Sequence, residues 1–369
     1  MIVGVPKEIK THEYRVAITP DGVRDLVRSG HTIYVQTRAG EEAGFSDLQY
    51  EQSGATIVNQ ASDVFNKSEL IVKVKEPQEN ECKMLQNNQT IFTYLHLAAD
   101  AKQTELLIKS GATCFAYETI TDDHNKLPLL KPMSEIAGRM SVQSGAHHLE
   151  KTQGGSGVLL SGATGVNPAQ VLVLGGGVVG MNAAEVAIGM GAQVTILNRS
   201  IADRLIDFQQ KHSSHISIDL SSVANIKRQL KNADLVIGAA LVAGASAPKL
   251  ITKSMLKLMK KGSVLVDVSI DQGGCFETSK MTTHDKPTYV VDDILHYCVG
   301  NMPGAVAQTA TLALTNATLP YILDIANKGV KKSMLMDSNL LNGLNIYQGQ
   351  VAHKSVADSL GYRYNSINL

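Results

Sequence analysis

Four titratable side chains of this sequence stand where short apolar segments end. Arg15 lies in the loop after IVGV, Lys75 closes LIVKVK, His96 follows TIFTYL, and Asp271 follows VLVDVSI. A guanidinium grips a carboxylate with two parallel hydrogen bonds, and an ammonium binds a carboxylate or polarises a carbonyl. Histidine gives and takes protons near neutral pH, and an aspartate orients a water molecule, ammonia or a ribose. The set predicts proton transfer on a bound amino or keto acid.

Each of these residues also has an ordinary structural interpretation. Arg15 and Lys75 fit solvated surface charges, His96 fits a core histidine with satisfied hydrogen bonds, and Asp271 fits a turn-forming aspartate. Glu118, which closes ATCFAYE, is predicted to be structural. Spacing alone leaves both interpretations open.

A glycine-rich turn follows the apolar segment VLVL. Gly175, Gly177 and Gly180 fit the pattern G-x-G-x-x-G, and Val178 and Val179 open the helix that follows. The first glycine permits a tight turn, the second lets the backbone approach a pyrophosphate, and the third allows close packing of helix on strand. Because strand, turn, helix and next strand follow in order, the motif predicts a dinucleotide site at the helix N-terminus.

The residue expected to bind the adenosine ribose departs from the usual pattern. An acid normally ends the second strand of such a unit, but this chain has Asn198 followed by Arg199. An asparagine still hydrogen-bonds a ribose, whereas an adjacent arginine equally suits a 2′-phosphate. These residues therefore favour neither NAD nor NADP.

The elements that must position these residues alternate between strand and helix. The pattern predicts an α/β fold with two doubly wound α/β domains, one of them Rossmann-type, and an interdomain cleft. We expect residues 1–130 plus 305–369 to form the substrate-binding domain and residues 131–304 the dinucleotide-binding domain. The segment after Pro303 is predicted to be helical through Ile325 and to return to the first domain. A helix is predicted to begin at Thr19 and Pro20 and to end at Gly30. The predicted strands include TIYVQ (32–36), LIVKVK (70–75), TIFTYL (90–95), QVTILN (193–198) and YVVDDI (289–294).

Composition excludes several classes of protein. Lysine plus arginine number 34, as do aspartate plus glutamate, so no long-range field would gather nucleic acid or an anionic membrane. No membrane span or signal peptide is expected, and four well-spaced cysteines predict reduced thiols in the cytoplasm. No pair of histidines or carboxylates has the spacing of metal ligands. The adjacent His147 and His148 point in different directions on a helix, so they are not expected to chelate one ion. The sequence has no G-x-S-x-G motif between a strand and a helix, so a serine hydrolase is not predicted.

The chain resembles the L-alanine dehydrogenases, within the family that also contains the transhydrogenase α-subunits. The segments that carry the resemblance run from end to end: VGVPKEIK, EYRVAITP, LIVKVKEP, FTYLHLA, AYETI, LPLLKPMSEIAGR, ADLVIGAALV, VDVSIDQGGCFE, NMPGAV and ALTNATLPY. The resemblance implies NAD-dependent, reversible oxidative deamination of L-alanine to pyruvate and ammonia. It also implies a homohexamer, and NAD is expected although Asn198 replaces the family's aspartate.

The resemblance assigns roles to individual positions. It implies that Arg15 and Lys75 bind the substrate and that His96 and Asp271 are catalytic. The implied cofactor contacts are Ser134, the 178–180 turn, Asn198, Arg204, Leu241, Asn301 and Met302. Two alternatives stay open: a dehydrogenase or transhydrogenase of the same fold acting on another substrate, and a non-catalytic NAD-binding sensor.

Overall fold

The computed structural model describes residues 1–212, 214–240 and 247–366. The chain divides into two compact units, one formed by Met1–Met133 with Gly304–Leu369 and the other by Ser134–Pro303. Each has its own sheet and its own apolar core.

The first unit begins with strands and helices in alternation. In chain order they are β1 (Ile2–Val5), α1 (Pro20–Arg28), β2 (Thr32–Gln36), α2 (Asp47–Gln52), β3 (Thr56–Val58), α3 (Ala61–Lys67), β4 (Leu70–Val72), α4 (Glu79–Cys82), β5 (Thr90–Thr93), α5 (Ala101–Ser110) and β6 (Thr113–Ala116). Helix α1 shows the local causes well. The Thr19 hydroxyl accepts a hydrogen bond from the Gly22 amide, Pro20 occupies the first turn, and Gly30 follows the helix with φ of 86°.

The second unit repeats the alternation. Its elements are α6 (Lys131–His148, which starts just before the unit boundary), β7 (Gln170–Leu174), α7 (Val178–Gly189), β8 (Gln193–Asn198), α8 (Asp203–Lys211), β9 (Ile216–Leu220), α9 (Val223–Leu230), β10 (Leu235–Gly238), β11 (Val264–Asp267), β12 (Thr288–Val291) and β13 (Ile294–Tyr297). The described strands form one sheet in the order β12-β13-β11-β10-β7-β8-β9. All neighbours are parallel except β12 and β13.

The C-terminal segment belongs to the first unit. It contains α10 (Ala307–Lys328), α11 (Val330–Met336), α12 (Ser338–Leu341), β14 (Leu344–Tyr347), β15 (Gln350–Val351) and α13 (Lys354–Leu360). Strand β14 pairs antiparallel with β6 and extends the sheet, whose order is β15-β14-β6-β5-β4-β1-β2-β3. The sequence prediction of helix ended at Ile325, and these two strands beyond it were not predicted.

The sequence prediction for residues 289–294 of the second unit was wrong. YVVDDI is not a single strand, because Asp292 and Asp293 take φ values of 51° and 62° and turn the chain between β12 and β13. Two consecutive left-handed residues form the tight turn of an antiparallel hairpin. The predicted strands LIVKVK and TIFTYL also end earlier, at Val72 and Thr93.

The order of strands reverses once in each sheet. In the first unit the chain builds outward from β1 through β2 and β3, then crosses to β4 and proceeds the other way. In the second unit the reversal lies between β7 and β10. Ligands of open α/β sheets bind beyond the carboxyl ends of the strands at such a reversal.

The chain's four cysteines are buried thiols: Cys82, Cys114, Cys275 and Cys298. Burial raises the pKa of each, to about 12 for Cys82 and Cys275 and to about 11 for Cys298. None of the helices described is both long and apolar enough to cross a membrane. Within the described ranges, no group of three or more histidine, cysteine or acidic side chains could hold a metal ion.

Candidate active site

Three of the predicted residues follow neighbouring parallel strands of the first unit. Arg15 lies in the loop after β1, Lys75 lies beyond β4, and His96 lies beyond β5. Val3 pairs with Leu70, and Leu70 pairs with Thr90, so the three strands are adjacent in register. The three residues therefore share the carboxyl edge of the sheet, and β1 and β4 flank its reversal.

Arg15 is buried and held in a fork by Glu13. Its Nε donates to Glu13 Oε1 at 2.6 Å, its NH2 group donates to Oε2 at 2.5 Å, and its NH1 group lies 2.9 Å from the Met133 sulfur. Burial opposes the charge, but the Glu13 carboxylate outweighs it and raises the pKa of Arg15 above its ordinary value. The guanidinium is therefore a fixed cation with a set orientation.

The backbone of Lys75 is fixed on both sides. Its amide lies 3.4 Å from Glu8 Oε1, and its carbonyl accepts a hydrogen bond from the Thr93 hydroxyl at 2.9 Å. Glu8 Oε1 also accepts the Val74 amide at 2.7 Å. The side chain of Lys75 is half-buried.

A buried ion triad lies next to the backbone of Lys75. Lys73 Nζ donates to Glu8 Oε2 at 3.0 Å and to Glu81 Oε1 at 2.8 Å, and the lysine has 0% exposure. Burial raises the pKa of Glu8 to about 7 against the opposing attraction of Lys73. The two carboxylates raise the pKa of Lys73 despite its burial. We refer to Glu8, Lys73 and Glu81 as the buried triad.

His96 is exposed and takes a left-handed backbone conformation, with φ of 53°. Glu118 holds this turn, because its Oε1 accepts the His96 amide at 2.6 Å and both its oxygens lie 3.2 Å from the Leu95 amide. Oε1 is also 3.8 Å from His96 Nδ1. The imidazole lies parallel to the Tyr94 ring, with centroids 6.0 Å apart. The ring is thus presented to solvent from a braced backbone.

The glycine-rich turn of the second unit lies at the other reversal. Gly175 has φ of 113°, and a Cβ there would lie 2.5 Å from the Ala239 carbonyl oxygen. A Cβ on Gly180 would lie 1.8 Å from the Gly175 carbonyl oxygen, so helix α7 packs against the turn as the motif requires. A Cβ on Gly177 would meet nothing within 4 Å among the described residues.

This turn suits a dinucleotide phosphate. Gly177 is the N-cap of α7, and no side chain within the described ranges caps that first turn. The amides of the first turn, including those of Val178 and Val179, therefore lie at the positive end of the helix dipole. The neighbouring Gly177 leaves space for a ligand there. The backbone geometry fits a pyrophosphate at this position.

Asn198 and Arg204 also contact the turn. Asn198 ends β8, its Oδ1 accepts the Gly176 amide at 2.9 Å, and its Nδ2 donates to the Ser200 carbonyl at 2.7 Å. Arg204, on α8, donates from NH2 to the Gly176 carbonyl at 3.3 Å. An aspartate at position 198 would supply a second acceptor where this chain has a donor.

The remaining predicted residues lie elsewhere in the second unit. Asp271 is exposed in a 3₁₀ turn, and its Oδ2 lies 3.4 Å from the amide of Asn301, which has φ of 55°. Met302 is buried next to Asn301, and Ser134 is half-buried on α6. The structure thus groups Asp271 with Asn301, whereas Leu241 lies outside the described residues.

The sequence analysis did not identify the acidic residues that pair with the buried cations of the first unit: Glu13 with Arg15, and Glu8 and Glu81 with Lys73. It also missed Lys73. The available signal was the charge itself, because Lys73 interrupts an apolar run and a buried lysine requires a partner. Glu118 was predicted to be structural, and it braces the His96 turn.

Known proteins of similar sequence match over nearly the whole chain. Residues 4–137 match the model of the alanine dehydrogenase/PNT N-terminal domain, and residues 141–354 match that of the C-terminal domain. The chain belongs to the alanine dehydrogenase/PNT family. Its Rossmann-type unit is accordingly that of a dinucleotide-binding dehydrogenase.

Individual members of the family are close in sequence and structure. An alanine dehydrogenase of Halomonas elongata is 55% identical over 99% of this chain and 98% of its own length. One of Mycolicibacterium smegmatis is 51% identical over 98% and 97%, respectively. A solved L-alanine dehydrogenase structure is 48% identical, covers 98% of this chain and 99% of its own, and has a TM-score of 0.95.

Proposed function

We propose that this chain catalyses the NAD-dependent, reversible oxidative deamination of L-alanine to pyruvate and ammonia. The observation that carries the proposal is the placement of Arg15, Lys75 and His96 after neighbouring parallel strands, at one edge of the sheet beside a strand reversal. Two cations and a titratable ring are the groups that binding and deprotonating an amino acid require. The alanine dehydrogenases among the similar proteins support the choice of substrate.

Arg15 and Lys75 bind the substrate carboxylate in this proposal. Arg15 keeps its charge and orientation through Glu13, so its NH groups offer a preset donor to a second carboxylate. Lys75 adds a second cation, and it polarises the carbonyl of pyruvate in the reverse reaction. Fixing the carboxylate orients the Cα–H bond, which supplies much of the catalysis.

His96 moves the protons in this proposal. An exposed imidazole on a braced turn reaches solvent and substrate, and imidazole is a side chain that both accepts and donates a proton. As water attacks the imine carbon, His96 takes one proton from it and gives that proton to the amino group. Ammonia then leaves as the carbonyl of pyruvate forms, and the hydroxyl proton passes through His96 to solvent. Asp271 orients the attacking water, the ammonia or the ribose through a charge-assisted hydrogen bond.

NAD is the cofactor in this proposal, and it supplies the hydride acceptor for oxidation. Its phosphates would bind the turn formed by Gly175, Gly177 and Gly180 with the Val178 and Val179 amides. Further contacts are assigned to Ser134, Asn198, Arg204, Leu241, Asn301 and Met302. The resemblance to alanine dehydrogenases favours NAD over NADP, although Asn198 lacks the carboxylate that would repel a 2′-phosphate.

We further propose that the protein is a cytoplasmic homohexamer with no nucleic-acid partner. The support is the resemblance to the alanine dehydrogenases, together with a balanced charge of 34 basic and 34 acidic residues. Analytical ultracentrifugation measures the mass directly. A species of another stoichiometry would contradict the hexamer without affecting the proposed chemistry.

An absorbance assay at the reduced nicotinamide band tests the proposed reaction. L-alanine with NAD should produce NADH, and pyruvate with ammonium should consume it. Parallel reactions with NADP, and with other amino acids, separate the proposal from a related dehydrogenase or transhydrogenase. Cofactor binding without turnover on any substrate would identify a sensor instead.

A further inference from the structure

Glu8 occupies an unusual position for a carboxylate outside the predicted catalytic set. It lies in the loop after β1, is 7% exposed, and is surrounded by charged groups: Lys73, Glu81, Glu13 and Arg15. Burying a carboxylate is costly unless hydrogen bonds and opposite charge compensate. Lys73 supplies the opposite charge to one carboxylate oxygen of Glu8, and the other oxygen accepts a hydrogen bond from a different group.

The other oxygen, Oε1, lies against the backbone that leads to Lys75. Oε2 accepts Lys73 Nζ at 3.0 Å, whereas Oε1 accepts the Val74 amide at 2.7 Å and lies 3.4 Å from the Lys75 amide. Beyond Val72, where β4 ends, the Lys73 amide and the Val74 carbonyl still bond to the β5 segment, at 3.1 Å to the Phe92 carbonyl and 3.2 Å from the Tyr94 amide, but the Val74 amide bonds to Glu8. Glu8 therefore replaces the missing strand partner at this point.

The same loop carries Arg15. Glu8 and Arg15 are seven residues apart between β1 and α1, and Glu13 binds the guanidinium from within that loop. Glu8 thus connects the loop of one cation to the strand end of the other. We propose that Glu8 is a positioning residue, which sets the spacing of Lys75 relative to Arg15 for carboxylate binding.

This proposal rests on the substrate roles assigned to Arg15 and Lys75 above. It differs from a role in charge balance alone, which Glu81 shares. Glu81 is also buried, at 1% exposure, and contacts the same Lys73 at 2.8 Å. Its second oxygen accepts the Gln78 amide at 2.8 Å and not an amide of residues 74 or 75. Glu81→Gln is therefore a matched control for Glu8→Gln.

The kinetic test compares Glu8→Gln, Glu8→Asp and Glu81→Gln in the full-length enzyme. A displacement of about 1 Å costs up to about a hundredfold in rate, so we expect both Glu8 variants to raise the KM for pyruvate by about tenfold or more. The dissociation constant for NADH, measured by fluorescence, should not change. Glu8→Asp keeps the negative charge but shortens the side chain, so a pure charge-balance role predicts near-normal KM for this variant.

Hydrogen–deuterium exchange supplies a measurement that does not depend on turnover. The amides of Val74 and Lys75 should exchange faster in Glu8→Gln and Glu8→Asp than in the wild type, and Glu81→Gln should leave them protected. Thermal unfolding identifies any variant that fails to fold. If Glu8→Gln does not fold, the charge-conserving Glu8→Asp decides the question.

Two results would overturn the proposal. One is an equal effect of Glu81→Gln and Glu8→Gln on the pyruvate KM and on amide exchange. The other is wild-type KM and exchange in Glu8→Asp. A wild-type enzyme without alanine-dependent or pyruvate-dependent turnover would refute the proposed function instead, and the exchange experiment would still decide whether Glu8 holds this strand end.

Discussion

The two units prepare for their ligands by opposite means. In the first unit, charged side chains are buried and paired: Arg15 with Glu13, and Lys73 with two carboxylates. In the second, the glycine turn removes side chains so that backbone amides are accessible at the start of α7. Side-chain cations bind a small carboxylate at a fixed angle, whereas a bare helix terminus accepts a phosphate chain.

This contrast predicts different consequences of mutation. Replacing one member of a buried ion pair leaves its partner with an uncompensated charge, which costs about 3–5 kcal/mol. Replacing a glycine that faces open space costs the fold little and affects only the ligand. The variants below test that difference, beginning with the largest effect on activity.

His96→Ala should lower kcat by about 10² to 10⁴ while the affinity for NADH changes little. The imidazole lies on the first unit, is exposed, and takes no part in the buried pairs, so the variant should also fold normally. Steady-state kinetics and NADH fluorescence titration measure the two quantities. Turnover close to that of the wild type would remove His96 from the mechanism.

Arg15→Lys should raise the pyruvate KM by about tenfold to a hundredfold, the usual range for a lost hydrogen bond between charged groups. It should also lower the melting temperature, because lysine keeps the charge but cannot bind both Glu13 oxygens as the guanidinium does. Thermal unfolding and kinetics check the two effects together. A variant with a normal melting temperature would show that the Glu13 fork does not stabilise the first unit.

Gly177→Ala should weaken NADH binding without changing the melting temperature. Its new methyl group enters the open space in front of the α7 N-terminus, whereas in Gly180→Ala the methyl group meets the Gly175 carbonyl. Gly180→Ala should therefore destabilise the fold as well, by about 1–3 kcal/mol for overpacking. Gly189→Ala, at the far end of α7 with equal space, is the control. Equal NADH affinity in Gly177→Ala and Gly189→Ala would contradict a phosphate site here.

The smallest effects concern pH, and they have opposite signs in the two units. Burial lowers the pKa of His296, so the stability it contributes is present above pH 6.5 and is lost as pH falls through its folded value. Glu8 is raised from 4.5 to about 7, so its contribution is present below pH 4.5 and is lost as pH rises through 7.

Melting temperatures between pH 5 and pH 8.5 test this pair of signs. Each contribution varies only between the unfolded and folded pKa values of its group, so His296→Gln should remove a rise in stability with pH below pH 6.5, and Glu8→Gln should remove a fall in stability from pH 5 to about pH 7. A profile in which Glu8→Gln removes a rise with pH, or His296→Gln removes a fall, would show that burial does not govern these two groups.

Sequence alone predicted the strands and motifs whose causes are local. TIYVQ and QVTILN are strands with the predicted limits, and Thr19, Pro20 and Gly30 delimit α1. The hairpin at Asp292 and Asp293 was missed although it had a local signal, since aspartate tolerates the left-handed conformation. Strand β14 had no such signal, because it depends on pairing with β6, more than two hundred residues away.

The residues of the candidate site show the same difference between local causes and tertiary contacts. Arg15, Lys75, His96 and the glycines could be predicted from strand ends and a spaced motif. Glu8 and Glu13 could not, because their importance arises from which groups the fold brings beside them. A carboxylate in a loop looks solvated in sequence, and only tertiary structure shows it enclosed with a lysine and two backbone amides.

The buried cysteines have a practical consequence for all of these experiments. A thiol reacts as its thiolate, and burial leaves very little thiolate at Cys82, Cys114, Cys275 and Cys298 near neutral pH. The folded protein should therefore give almost no background with maleimide dyes. A single cysteine introduced on the surface could carry a fluorophore or spin label with the native sulfur atoms left in place.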